Sequence, residues 1–139
     1  MELSDIAVPA LAYLGDSVLE LCVRNYLVTE LGLSTSAHLN RASLDFVRAS
    51  AQSEAMERLE PYLTETEASM YRRGRNRGHG NVPKSASTAE YRRATGMEVL
   101  FAYLSLTGQT ERLEYLFRLG YGLLPSDSTH QSQTGESQI

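Results

Sequence analysis

The stretch VPALAYLGDSVLELCVRNYLVTEL, residues 8–31, is the longest apolar run of the chain, and the other helices are expected to pack around it. Apolar residues recur in it at three- and four-residue intervals, which is typical of a helix with a broad apolar face. Pro9 suits the first turn of a helix, where its missing N–H is not needed, and Gly32 is a suitable stop. The run therefore predicts a central helix from about Pro9 to Glu30.

An acid, Asp16, lies in the middle of this run. An ionised carboxylate within a packed helix needs hydrogen bonds or a cation to compensate for its lost hydration. Gly15 and Ala12 are small and leave room beside it. We therefore expect Asp16 to lie next to a cation.

A second acid, Glu98, interrupts a second apolar helix. Ser87 and Glu90 have the spacing of a capping box and predict the start of this helix, which should end at Gly108. The residues one turn away from Glu98 are small: Ala94, Thr95 and Ala102. Two such acids suggest that Asp16 and Glu98 face each other across a cation, and Mg²⁺ with oxygen ligands and several waters suits that arrangement.

Ordinary ion pairs are the alternative for both acids. Asp16 could pair with Arg24 or another arginine, and Glu98 with Arg92 or Arg93. Composition and spacing alone leave the two interpretations open.

The remaining chain predicts further helices and no strands, so we expect a single all-α domain over residues 1–124. Residues 34–61 should form two helices or one bent helix, and Thr64 with Glu67 has capping-box spacing for a short helix that ends at about Arg73. A last helix is predicted from about Thr110 to Leu119. Residues 125–139 are polar and should form a disordered tail.

The charges are distributed unevenly. The net charge is −4, but between Arg72 and Arg93 there are seven basic residues and one acid, a local charge of +6. The chain has twelve arginines and one lysine, and the planar guanidinium suits bidentate phosphate contacts. Most of this charge flanks or lies in the segment GRNRGHGNVPKSAS, residues 74–87, which predicts a loosely ordered loop. It is either a solvated loop without a partner or a nucleic-acid contact, with these side chains as candidates: Arg72, Arg73, Arg75, Arg77 and Lys84.

Several classes of protein are excluded by composition. One cysteine, Cys22, cannot form a disulfide framework or a cysteine zinc site and is expected in the core. The three histidines have no metal-ligand spacing. Charged residues interrupt the apolar run and no leader pattern precedes it, so we expect a cytoplasmic protein.

Two segments carry a resemblance to a known family. LAYLGDSVLEL, residues 11–21, resembles the signature helix of ribonuclease III, and KSASTAEYRRATGMEVLFAYL, residues 84–104, resembles its second acidic helix. Together with the basic segment, residues 4–120 resemble the compact bacterial branch of that family, Mini-ribonuclease III, which has no double-stranded-RNA-binding domain.

The resemblance implies a Mg²⁺-dependent endonuclease that cuts double-stranded RNA and leaves 5′-phosphate and 3′-hydroxyl ends. It implies that Asp16 and Glu98 are catalytic metal ligands and that Tyr13 lies at the interface of a homodimer. It also implies that the substrate is a stem of the large-subunit (23S) ribosomal RNA precursor, with a ribosomal protein as a further candidate partner.

The chain departs from full-sized ribonuclease III at two positions. Ala12 and Thr95 stand where the larger enzymes carry further acids, so the number of metal ions stays open. These two residues favour an alternative, a ribonuclease III-like domain that binds structured RNA without cutting it. A helical protein-interaction module is a third interpretation, but it leaves the basic segment unexplained.

Overall fold

The computed structural model describes residues 2–77 and 87–125, and these residues form six α-helices without a strand. The prediction of an all-α fold is confirmed. Lys84 lies outside the described residues, as does the predicted tail apart from Pro125. The helices are α1 (Val8–Thr29), α2 (Ser36–Val47), α3 (Ala49–Leu59), α4 (Glu65–Arg77), α5 (Thr88–Leu106) and α6 (Thr110–Gly120), with short 3₁₀ turns at Leu3–Asp5 and Glu60–Tyr62.

Helix α5 lies at the centre of the domain and packs against α1, α3 and α4. Most of its apolar residues are buried, and they meet the buried face of α1 and the core residues Ala55, Met56 and Leu59 of α3. Burial of each large apolar side chain contributes about 1.5–3 kcal/mol relative to exposure. The central residues are Met97, Leu100, Phe101 and Leu104 on α5 and Leu19, Cys22, Val23 and Leu27 on α1.

Glycines let two helices approach α5 unusually closely. A Cβ on Gly15 of α1 would lie 1.7 Å from the carbonyl oxygen of Glu98, and one on Gly96 of α5 would lie 2.6 Å from the Tyr71 ring of α4. These distances are far below van der Waals contact, so the two crossings require glycine. Helix α5 is therefore held from both sides by close backbone packing.

The predicted helix ends are largely confirmed. Helix α1 has Pro9 in its first turn, and Gly32 follows it with φ of 66°. The Ser87 hydroxyl accepts a hydrogen bond from the Glu90 amide at 3.1 Å, and the Glu90 carboxylate accepts one from the Ser87 amide at 3.2 Å, which completes the predicted capping box. The segment 34–61 forms two helices separated at Arg48, whose extended backbone ends α2 and begins α3.

Helix α4 is longer than the sequence predicted. It continues to Arg77, so the expected loop of residues 74–87 is wrong in its first four residues. Tertiary packing explains the difference, because Gly74 is buried where a Cβ would lie 2.7 Å from the Val99 side chain. The contact with α5 keeps in the helix a glycine that sequence reasoning assigned to a loop.

A buried ion pair joins α4 to α6. The Glu67 carboxylate accepts two hydrogen bonds from Arg112, each of 2.9 Å, and one of 2.9 Å from the Thr64 amide. The Arg112 guanidinium lowers the pKa of Glu67, which is almost fully buried. The predicted Thr64 capping box is thus also part of the packing. None of the helices in the described ranges is long and apolar enough to cross a membrane.

Candidate active site

Asp16 and Glu98 are brought together where α1 crosses α5. Gly15 packs directly on the backbone of Glu98, and Asp16 is the next residue along α1. The two acids are 82 residues apart in the sequence, yet the charge of Asp16 acts on the Glu98 carboxyl. The structure therefore places both predicted acids at one site.

The electrostatics of this site disfavour two ionised carboxylates. Burial raises the pKa of Glu98, and the nearby Asp16 carboxylate raises it further, to about 8. The pKa of Asp16 is also raised, by burial and then by the charge of Glu20. Asp16 is nevertheless an exposed residue, so the expectation that it is shielded inside a packed helix is wrong, whereas Glu98 is half-buried.

No basic side chain among residues 2–77 and 87–125 forms an ion pair with either acid. Arg24 pairs instead with Glu20 at 3.2 Å, and Arg93 donates to the Ser53 hydroxyl at 2.5 Å. Within the described part of the chain, the ordinary ion pairs considered above are absent. The site is left with negative charge that no arginine of residues 2–77 and 87–125 neutralises through an ion pair.

A cavity of about 540 Å³ adjoins Glu98. Ala12 and Thr95, the two positions that lack further acids, both line it, and the Thr95 hydroxyl donates to the Tyr91 carbonyl at 3.0 Å. Gln52 also lines the cavity and is 4% exposed. Its amide nitrogen donates to the Val47 carbonyl at 2.9 Å, while its amide oxygen has no hydrogen-bond partner among the described residues.

The residues present fit a hard divalent cation with few protein ligands. The described residues contain no group of three or more His, Cys, Asp or Glu side chains that could hold a metal, and Asp16 and Glu98 are the two carboxylates that could hold one at this site. Mg²⁺ commonly binds through one or two carboxylates and retains several waters. A cation between Asp16 and Glu98 would also relieve the repulsion that raises the pKa of Glu98.

The predicted RNA-contact arginines differ in their surroundings. Arg72 is exposed, and Arg77 is exposed at the end of α4 beside the cavity that contains Glu98. The Arg73 guanidinium donates instead to main-chain carbonyls of the N-terminal segment, with its shortest bond of 2.6 Å to Ile6. Arg75 lies over the Tyr71 ring at 5.6 Å.

Sequence reasoning missed two basic residues with a shared location. Arg92 and Arg93, on the first turns of α5, line a second cavity together with Arg75. The sequence suggested them only as contributors to the local charge of +6 and as possible ion-pair partners of Glu98. Without the fold, nothing shows that Arg75 lies opposite them.

Tyr13, the predicted interface residue, is 82% exposed on α1. Leu21 and Val28 are also exposed, and at 100° per residue they lie within about 80° of Tyr13 around the helix axis. The outer surface of α1 therefore presents apolar side chains, and one of them, Tyr13, lies one turn from Asp16.

Comparison with known proteins identifies relatives over most of the chain. The Ribonuclease III domain family matches residues 9–109. A Mini-ribonuclease 3 from Symbiobacterium thermophilum is 50% identical over 104 residues, which cover 74% of this chain and 78% of the relative. Mini-ribonuclease 3 from Clostridium tetani is 34% identical over 128 residues, covering 92% and 85%, and that from Enterococcus faecalis is 45% identical over 109 residues, covering 77% and 82%.

The fold is also found in a solved structure. A crystal structure of a protein from Fusobacterium nucleatum superposes with a TM-score of 0.75 and 25% identity, covering 82% of this chain and 90% of that one. The helical architecture, the family match and the identities to several relatives agree with one another. The chain belongs to the ribonuclease III family, in its Mini-ribonuclease 3 branch.

Proposed function

We propose that this protein is a Mg²⁺-dependent endoribonuclease that cuts double-stranded RNA, with Asp16 and Glu98 as its metal ligands. One observation carries the proposal: the fold unites two carboxylates at one site, and no cation among the described residues neutralises them. The name of the family and its relatives supports ribonuclease activity. The metal, the cleavage products and the cellular substrate are part of the proposal.

The two carboxylates have unequal roles in preparing the site. Asp16 is exposed, whereas burial and the charge of Asp16 raise the pKa of the Glu98 carboxyl to about 8. Glu98 is half-buried and loses its proton readily only when positive charge enters the site. When bound, Mg²⁺ supplies charge that polarises the scissile phosphate and makes water a better nucleophile, consistent with 5′-phosphate and 3′-hydroxyl products.

RNA recognition is proposed to rest on backbone contacts. The deep, narrow major groove of A-form RNA does not admit side chains, so its phosphates and 2′-hydroxyls are the accessible features. Arg72 and Arg77 are exposed, with Arg77 beside the Glu98 cavity, and Arg75 is partly exposed. Lys84 remains a candidate contact outside the described residues, whereas Arg73 already serves the N-terminal segment.

A homodimer and a ribosomal substrate complete the proposal. The exposed apolar residues Tyr13, Leu21 and Val28 on α1 offer a surface that a second copy would bury. The proposed substrate is a stem of the 23S ribosomal RNA precursor, with a ribosomal protein as a candidate partner. Mapping the cut ends of precursor RNA after incubation with the protein tests the substrate directly.

Substitution of the acids tests the activity. Asp16→Asn and Glu98→Gln should each lower the rate of cleavage of a long RNA duplex by about 100-fold or more, because each removes a charged ligand. Asp45→Asn is the control and should leave cleavage unchanged, since Asp45 is an exposed acid of α2 that pairs with Arg48. Cleavage should also stop in the presence of a chelator.

Binding measurements separate the rival functions. Asp16→Asn should retain its affinity for duplex RNA in the absence of Mg²⁺, because the acid contributes no attraction to phosphate. If the wild-type protein binds the duplex but never cuts it, the non-catalytic RNA-binding domain is the correct function. Near wild-type cleavage by both acid variants would instead overturn the assignment of the site.

A further inference from the structure

A second cavity, of about 400 Å³, lies between the last turn of α4 and the first turns of α5. Arg75 and Asn76 line it from α4, and Thr88, Ala89, Arg92 and Arg93 line it from α5. Three of these six residues are arginines and none is an acid. We call this cavity the arginine cavity.

The positive charge of the arginine cavity is not neutralised within the described residues. Arg92 is exposed and has no hydrogen bond or ion pair there. Arg93 donates to the Ser53 hydroxyl, and Arg75 donates to the Asn76 side-chain oxygen and lies over the Tyr71 ring. All of these partners are uncharged, so the three cations repel one another until an anion enters.

The start of α5 adds to this positive potential. The capping box uses the amides of Ser87 and Glu90 and leaves the amides of Thr88 and Ala89 without a hydrogen-bond partner among the described residues. Both residues line the arginine cavity, and α5 is a helix of 19 residues. The amides at a helix N-terminus and the helix dipole favour an anion at this end. Here they act together with the arginines on one cavity.

We propose that the arginine cavity binds a backbone phosphate of duplex RNA, at a position separate from the acid pair. The inference rests on the proposed function for the identity of the ligand. Guanidinium groups match phosphate oxygens in pairs, which favours phosphate over a single carboxylate. Arg92 therefore becomes an RNA-binding residue that the sequence did not single out.

Only an extended ligand can span the distance between the arginine cavity and the acid pair. Arg92 precedes Glu98 by six residues, which is about 9 Å along the helix axis and about 120° around it. A ligand that touches both sites must extend across the first half of α5. An RNA duplex does this, whereas a single phosphate occupies one site only.

The test measures the salt dependence of duplex binding in the Asp16→Asn protein, which keeps the RNA intact. Adding Arg92→Gln should weaken binding three- to tenfold at about 0.15 M salt and make the slope of log affinity against log salt shallower by about one. Arg75→Gln should act in the same direction. Arg41→Gln is the matched control, since Arg41 is exposed on α2 with no described partner, and it should change neither quantity.

Several results would overturn this inference. An unchanged slope with Arg92→Gln would do so, as would an equal change with Arg41→Gln, which would indicate only a general loss of charge. A further experiment measures thermal stabilisation of the protein by inorganic phosphate. If Arg92→Gln abolishes this stabilisation but leaves the salt dependence of RNA binding unchanged, the cavity binds free phosphate and the RNA assignment is wrong. Failure of the proposed function is seen separately, as absence of duplex cleavage by the wild-type protein in Mg²⁺.

Discussion

The crossing of α1 over α5 yields a sharp prediction, because Gly15→Ala places one carbon atom where the backbone of α5 already lies. The new Cβ would be 1.7 Å from the Glu98 carbonyl oxygen, 2.4 Å from its carbon and 2.8 Å from its Cα. All three are main-chain atoms, so no side chain can rotate away. The helices must separate by more than an ångström.

The size of the effect follows from two opposing contributions. Overpacking in a rigid core destabilises by about 1–3 kcal/mol or more, and alanine recovers up to about 1 kcal/mol of helix propensity relative to glycine. Because the clash is severe and involves backbone, we expect a net loss of about 2 kcal/mol. For a domain of this length this lowers Tm by about 6–10 °C.

Urea denaturation followed by circular dichroism measures this loss, and the midpoint should fall with little change in m. Asn25→Ala, at an exposed position of the same helix, is the control and should be neutral or slightly stabilising. The Gly15→Ala protein should also cleave RNA much more slowly, since the two carboxylates are moved apart. Wild-type stability together with wild-type cleavage would refute the described crossing.

Three further substitutions test other parts of the structure. In the presence of chelator, the stability of the wild-type protein should fall as pH rises from about 4.5 to about 8, because the folded protein retains the Glu98 proton to a higher pH than the unfolded chain does. The Glu98→Gln substitution should remove this fall. Equal pH profiles of the two proteins in urea denaturation would contradict the prediction. Glu67→Gln should destabilise the protein by about 2–4 kcal/mol at pH 7, because it leaves Arg112 without its buried partner. Since the pKa of Glu67 is lowered in the folded protein, the difference in stability from the wild type should shrink as pH falls below about 4.5. A difference that stays constant with pH would count against the ion pair. Arg73→Met should lower stability by about 1–2 kcal/mol, because the hydrogen bonds to the main-chain carbonyls of the N-terminal segment are lost. The control, Arg72→Met, should stay within about 0.5 kcal/mol of the wild type. Equal thermal stabilities of the two variants would show that Arg73 does not hold the N-terminal segment.

Local patterns were sufficient to predict much of the fold. Both capping boxes, at Thr64 and at Ser87, form as their spacing predicts, because the hydrogen bonds of a capping box involve residues only three positions apart. The stops at Gly32 and Gly108 are likewise local, since each glycine has a positive φ that other residues rarely adopt.

Features that depend on tertiary packing were harder to predict. The sequence predicts Gly74 to be a loop residue, but in the structure it packs against Val99, and this contact extends α4 to Arg77. The sequence presents Arg73 as one of several cations, whereas in the structure its guanidinium donates hydrogen bonds to main-chain carbonyls of the N-terminal segment. Both depend on residues distant in sequence.

The candidate site was predictable as a pair of residues but not as an environment. The pattern of an acid with small neighbours identified Asp16 and Glu98, and the fold brings them together. It did not reveal that Asp16 is exposed while Glu98 is half-buried. That difference depends on how α1 and α5 cross, which no local pattern describes.

The backbone contact between Gly15 and Glu98 has a consequence for redesign of the protein. The separation of the two acids is set by main-chain atoms, so changes in the size of core side chains elsewhere should alter stability before they alter the site. Arg72, Arg77 and Arg92 are exposed, and exchanging them should have little effect on that spacing. Under the proposed function, RNA affinity and the spacing of the two acids should therefore respond to different substitutions.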